Sequence, residues 1–147
     1  MSYKTIRERS LEAHKIISNY IHRTPLDKST TFSRMFGGEV YLKYENLQKS
    51  GSFKARGALY KINRLYHQGV REVVAASSGN HAQGVAYAAS IYGVKATIFM
   101  PETAPIAKVE ATKGYGAEVI LRGRVFDEAY ESAASYSKER GAAFIHP

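Results

Sequence analysis

The sequence predicts an α/β fold: a small open parallel sheet with helices on both faces. Two observations carry that expectation. Four short apolar runs, Val73–Ala76, Ala96–Met100, Ala117–Leu121 and Ala143–Ile145, each follow a stretch with apolar residues at helical spacing. Glycine punctuates the end of each helical stretch, at Gly69, Gly93, Gly114 and Gly141. Strands separated by helices pair in parallel through right-handed crossovers, because a tight turn joins only antiparallel neighbours.

The elements follow in order. Thr5 and Glu8 have the spacing of a capping box, and Ala13, Ile16, Ile17, Tyr20 and Ile21 then repeat at helical intervals, which predicts an opening amphipathic helix. His22-Arg23-Thr24-Pro25-Leu26 ends it, since Pro25 disfavours helical geometry at Thr24. Gly37-Gly38 reads as a turn beside a strand, and Val40, Leu42 and Tyr44 fall on one side of the stretch 39–44. Ala58, Leu59, Ile62, Leu65 and Tyr66 make the first helical stripe of the regular series, and Ala82, Val85, Ala86 and Ala89 the second. The third helix starts near Pro105, and the fourth carries Phe126, Ala129, Ala133 and Tyr136 on one face. The units share no side-chain signature, so this is a supersecondary rhythm without a sequence repeat.

Composition narrows the function classes. The 147 residues are 44% hydrophobic, enough for one domain with a core, and contain no cysteine, which removes disulfides and thiolate metal sites. No run approaches the roughly 20 apolar residues that span a bilayer, and the start MSYKTIRERS has no apolar stretch behind its charges. A cytoplasmic protein without membrane partners is the expectation. The net charge of +8 is spread among acidic residues without basic and aromatic interleaving, so no nucleic-acid partner is expected. The histidines lack an H-x₃-H pair and the acidic residues lack clustered spacing, so no metal site is expected.

In open α/β sheets, ligands sit beyond the carboxyl ends of the strands, where loops enter helix amino termini. That rule points to Ser77-Ser78-Gly79-Asn80-His81-Ala82-Gln83-Gly84. Backbone N–H groups and the helix dipole suit a carboxylate or phosphate there, although Ser and Asn also serve as ordinary caps. The turn lacks the glycines of a dinucleotide fold and the GK[ST] ending of a P-loop. A second polar lead into a helix, Ser50-Gly51-Ser52-Phe53-Lys54-Ala55-Arg56-Gly57, sets Lys54 where a dipole favours anions. Alone, Lys54 is equally a surface lysine on a helix face.

Together the two segments resemble the fold-type II pyridoxal-phosphate enzymes, and within them the threonine dehydratase and serine racemase branch. Cysteine synthases generally have Asp where Ala55 stands, and Thr-Ser-Gly-Asn-Thr in place of Ser77–His81. The resemblance extends to Arg23-Thr24-Pro25-Leu26 and Lys43-Tyr44-Glu45-Asn46-Leu47-Gln48. It implies pyridoxal 5'-phosphate held by Lys54 as a Schiff base, with Phe53 against its ring and Asn80 bonded to its phenolic oxygen. Ser77, Ser78, Gly79, Asn80 and His81 would surround the substrate carboxylate, Gly79 allowing close backbone approach. Ser78 would move a proton on the face opposite Lys54.

The implied reaction is β-elimination of L-threonine or L-serine to a 2-oxo acid and ammonia, with serine racemisation or a catalytically silent module as alternatives. Lys49, Ser50, Gln83 and Tyr115 match positions that bind a nucleotide effector in some relatives. The resemblance further implies a homo-oligomer, an amino-acid substrate and a place in amino-acid metabolism such as isoleucine biosynthesis. Residues 1–50 would be opening elements of a larger domain and residues 51–147 a smaller, cofactor-covering domain. The family's glycine-rich phosphate loop, its contact to the pyridine nitrogen and its cation ligands would lie beyond Pro147, and Gly37-Gly38 is too short to replace the loop. An exposed apolar surface is expected where that remainder would pack.

Overall fold

In the computed structural model, which describes residues 3–147, the opening helix α1 spans Tyr3–Ile17. Thr5 stands inside its first turn, so the box expected of Thr5 and Glu8 does not start the helix. The capping position itself lies outside the described residues. A 3₁₀ turn, Ser18–Tyr20, leads to Ile21, whose extended backbone (φ −126°, ψ 157°) ends the helical run ahead of Pro25. Ile17 is buried, and Ile16 and Ile21 pack beside it, as the amphipathic spacing requires.

Strand β1 (Leu26–Lys28), helix α2 (Thr30–Phe36) and strand β2 (Tyr41–Lys43) follow. Neither β1 nor α2 is foreseen by the apolar pattern, because both are too short to show a period. The local signals for α2 are nevertheless present. Ser29 Oγ accepts the Phe32 N–H at 3.2 Å, and Gly37 closes the helix at φ 67°, a left-handed conformation that a residue with a Cβ adopts at a cost. Gly37-Gly38 therefore ends a helix as well as leading the chain toward β2, the strand beside which the sequence predicts a turn. β1 and β2 pair antiparallel, with Asp27 opposite Leu42.

The regular series is as the sequence predicts. It runs α3 (Lys54–His67), β3 (Glu72–Ala76), α4 (Asn80–Tyr92), β4 (Lys95–Met100), α5 (Ile106–Gly114), β5 (Glu118–Leu121), α6 (Phe126–Arg140) and β6 (Ala143–Phe144). The four strands form one parallel sheet in the order β5-β4-β3-β6. Helices cover both faces. Leu59 and Ile62 of α3, Val85 of α4 and Val109 of α5 bury against Val73, Ala75, Ile98 and Met100. Ala129 and Ala133 of α6 bury against Val74, Ala76 and Phe99 on the other side. Because both faces are covered, β3 reads as a continuous apolar run with no alternation. Full burial of side chains such as Leu59 and Ile62 contributes about 2 kcal/mol each.

The strand order fixes where a ligand can sit. From β3 the chain steps outward to β4 and β5, and then α6 carries it back over the opposite face to β6 on the far side of β3. The connections diverge between β3 and β6, which opens a crevice beyond the carboxyl ends of those two strands.

Candidate active site

A concavity of about 460 Å³ occupies that crevice, lined among others by Phe53, Lys54, Lys61, His81, Phe144 and His146. The two segments singled out in the sequence therefore meet at one place. Lys54 opens α3 and His81 stands in the first turn of α4, while Phe144 and His146 come from β6 and the residues after it. The Lys54 ammonium lies 5.6 Å from the centroid of the Phe53 ring, and that ring is 59% exposed, an uncovered aromatic face beside an amine. Ser52, nearly buried, accepts the Lys54 N–H on its Oγ at 3.4 Å and so tethers the helix start.

The fragments around Thr24, Glu45 and Arg56 prove to be parts of one clasp. Arg56 donates from Nε to Glu45 Oε2 and from Nη2 to Glu45 Oε1, both at 2.8 Å. Thr24 Oγ1 donates to Glu45 Oε1 at 2.6 Å, and Lys43 Nζ donates to the Thr24 carbonyl at 2.6 Å. Gln48 completes the clasp by accepting the His22 N–H and donating to the His22 carbonyl, at 2.8 and 2.9 Å. The Arg56 guanidinium holds the Glu45 carboxyl down at about 2, against the opposing effect of burial. Two residues after Lys54, this bidentate pair anchors the start of α3 to the preceding chain. Sequence reasoning missed the pair, because its members are separated in the chain and neither stands alone as a signal.

The turn after β3 is ordered from within. The Ser77 N–H bonds the Phe99 carbonyl at 3.1 Å, and Ser77 Oγ accepts the Gly79 N–H at 3.2 Å. Ser77, Ser78, Gly79 and Asn80 do not line the concavity; they form the turn that leads into α4, and only His81 of the five reaches the wall. The His81 ring is buried and its Nε2 donates to the Ile145 carbonyl at 3.0 Å, because a carbonyl only accepts. Burial pushes the imidazole below its usual value, with the positive charge of Lys54 acting the same way. The Nε2 of His81 is thus engaged by the Ile145 carbonyl, and the residue stands in the first turn of α4. The first N–H groups of a helix have no intrahelical acceptor and suit an anion.

Asn80 and Gln83 turn their amide oxygens to Lys108 of α5, at 2.9 and 3.1 Å. Of the other residues matched to an effector, Ser50 has φ 60° and a buried Oγ without a hydrogen-bond partner among the described residues, and the Tyr115 ring meets Tyr87 edge-on at 5.6 Å. Lys49 is exposed. The short turn Lys49–Gly51 packs against α4, the helix that carries Gln83. Among the described residues no group of three or more His, Asp or Glu is placed to hold a metal ion, and no helix is long and apolar enough to cross a membrane.

Residues 17–147 match the family described as pyridoxal-phosphate dependent enzyme. The chain belongs to that family. L-threonine ammonia-lyase of Thermotoga maritima is 55% identical over 137 residues, covering 92% of this chain and 34% of that protein. The Staphylococcus aureus protein named L-threonine dehydratase catabolic TdcB is 53% identical over 138 residues, covering 92% of this chain and 40% of its own length. Among solved structures, the processed form of threonine deaminase isoform 2 from Solanum lycopersicum superposes with a TM-score of 0.86 at 32% identity, over 99% of this chain and 40% of that one. Maize serine racemase superposes with a TM-score of 0.86 at 40% identity, over 95% and 43%. The chain spans between a third and about two fifths of the length of these curated relatives.

The pyridoxal-phosphate family's cofactor needs a primary amine, a surface for its ring and donors for its anionic oxygens. The concavity fits the first two through Lys54 and Phe53. Its lining among the described residues has no glycine-rich run of N–H groups for a phosphate.

Proposed function

We propose that this chain supplies the lysine-bearing, substrate-carboxylate-binding part of a threonine/serine ammonia-lyase. The supporting observation is that Lys54, Phe53 and His81 line one concavity at the point where the sheet connections diverge. In this reading residues 51–147 are the smaller domain of the enzyme and residues 1–50 opening elements of the larger one. The staphylococcal relative is named a catabolic dehydratase, which adds threonine degradation as a role beside the isoleucine biosynthesis that the resemblance implies.

Pyridoxal phosphate, when bound at Lys54, supplies an electron sink for the pair left on the substrate's Cα. Lys54 Nζ would hold the group and, as a free amine, would take the α-proton. By the resemblance, Phe53 would lie against the ring and Asn80 would donate to the phenolic oxygen. Backbone N–H groups of the Ser77–His81 turn other than those of Ser77 and Gly79, which already have acceptors, would grip the substrate carboxylate and orient the Cα–H bond toward Lys54, which can supply several kcal/mol of the barrier. The proton taken by Lys54 Nζ would be available to the departing β-hydroxyl, so that it leaves as water, and a further water would release the 2-oxo acid and ammonia. Ser78 stands ready to move a proton on the opposite face. Lys49, Ser50, Gln83 and Tyr115 form the nucleotide-effector surface, with the unpartnered Ser50 hydroxyl in support. The working enzyme is a cytoplasmic homo-oligomer.

The test adds pyridoxal phosphate to the chain and to its Lys54→Ala variant, records visible absorption, and then adds L-threonine and assays 2-oxo acid. A band that depends on Lys54 together with 2-oxo acid is the expected result. A band indifferent to the substitution removes Lys54 from the role, and inversion of serine without 2-oxo acid replaces the lyase by a racemase.

A further inference from the structure

We propose that Lys108, which lies outside both sequence segments, is the positioning residue that fixes the orientation of the Asn80 and Gln83 amides at the start of α4, beside the crevice. The inference rests on the function proposed above. The Lys108 ammonium donates to Asn80 Oδ1 at 2.9 Å and to Gln83 Oε1 at 3.1 Å. An ammonium donates and never accepts, so only the carbonyl oxygen of each amide can face it. The NH₂ group of each is thereby turned away from Lys108. For Asn80 this leaves two donors for an anionic acceptor, which a bond to the cofactor's phenolic oxygen requires. A free asparagine amide has no such preference and presents oxygen as readily as nitrogen.

The arrangement is built to hold. Asn80 and Gln83 stand three residues apart, on one face of the first turn of α4. α5 packs against α4, and the Lys108 backbone is secured on both sides. Its N–H donates to the Pro105 carbonyl at 2.8 Å, and its carbonyl accepts from the hydroxyl of the fully buried Thr112 at 2.8 Å. Among the described residues no carboxylate lies within ion-pairing distance of Lys108. A carboxylate partner would cancel the charge, whereas two neutral amides leave it intact beside a helix amino terminus. The amino terminus of α4 thus keeps a positive charge beside it, which favours an anionic substrate there.

The experiment uses the ¹⁵N-labelled chain, with and without pyridoxal phosphate, and the variants Lys108→Met, Lys108→Arg and Asn80→Ala. Without cofactor, Lys108→Met shifts the side-chain NH₂ signals of Asn80 and Gln83 while backbone signals in β3 and β4 stay in place. Lys108→Arg, which keeps donors at that point, retains them near their native positions. With cofactor, Lys108→Met raises the dissociation constant about tenfold, the worth of one charge-assisted hydrogen bond. In the Asn80→Ala background the same change has no further effect, because Lys108 acts through Asn80. Unmoved Asn80 NH₂ signals in Lys108→Met overturn the proposal, as does an equal loss of affinity in both backgrounds. If Lys108→Met does not fold, Lys108→Gln replaces it in the same comparison. A native chain that binds no cofactor defeats the function proposed above, while the amide signals still decide the role of Lys108.

Discussion

A Cβ on Gly84 would stand 3.0 Å from the carbonyl carbon of Lys54 and 3.1 Å from its oxygen. The missing side chain at Gly84 is what lets the first turns of α3 and α4 lie against each other, and so what brings the lysine to the turn after β3. Gly84→Ala forces backbone apart and is expected to destabilise the chain by about 1–3 kcal/mol and to weaken cofactor binding. Gly57→Ala is the control, since a Cβ there meets nothing within 4 Å and the helix gains about 0.8–1 kcal/mol of propensity. Denaturant unfolding of the two variants checks the contrast.

The Glu45–Arg56 pair predicts a limb of acid sensitivity. The carboxyl is held at about 2 in the folded chain against 4.5 when free, so its contribution is present above pH 4.5 and is lost as pH falls toward 2. Allowing for solvent screening of a partly exposed pair, the contribution is about 1 kcal/mol. Glu45→Gln flattens the stability profile in that window. Arg56→Ala costs more, about 1–3 kcal/mol, because it leaves a largely buried carboxylate without its partner.

His81 adds a second, milder titration. Burial lowers the imidazole from its usual value of 6.5, so the folded chain favours the neutral ring. The stability it secures is present above that value and declines as pH falls below it, where the unfolded chain takes up the proton first. An imidazole NMR titration is expected to place His81 below an exposed histidine, and His81→Gln removes this part of the profile. The end of β6 is the region affected, since Ile145 also donates its N–H to the Val74 carbonyl at 2.8 Å.

Met35 and Phe36, at the end of α2, are 68% and 70% exposed. Replacing both with serine is expected to lower binding of an apolar dye and self-association while changing stability by less than about 0.5 kcal/mol. Dye fluorescence and sedimentation measure the two effects.

The four helix-strand units were legible because each carries a long period and a glycine stop, and both survive without knowledge of neighbours. β1 and α2 were not, since three and seven residues hold no period. Only the capping pair Ser29 and Gly37 marked them, a signal that is local and easily read as a loop. Lys54 and the Ser77–His81 turn were found as motifs, but Lys108 has no motif around it. Its role rests on two hydrogen bonds that cross from α5 to α4.

The sequence by itself determined the order of the four helix-strand units and the parallel sheet, and singled out Lys54 as the candidate lysine for the family's cofactor, because these follow from periodicity, chain punctuation and two short segments. Tertiary structure alone decided which groups face the crevice. It committed the His81 ring to Ile145, paired Arg56 with Glu45 and turned Asn80 toward Lys108. The physical reason is that side-chain direction and hydrogen-bond partner are set by packing between elements distant in the chain, of which a linear pattern holds no record. The near contact of Gly84 with Lys54 belongs to both: a glycine visible in the sequence, with a purpose that only the packing of two helices reveals.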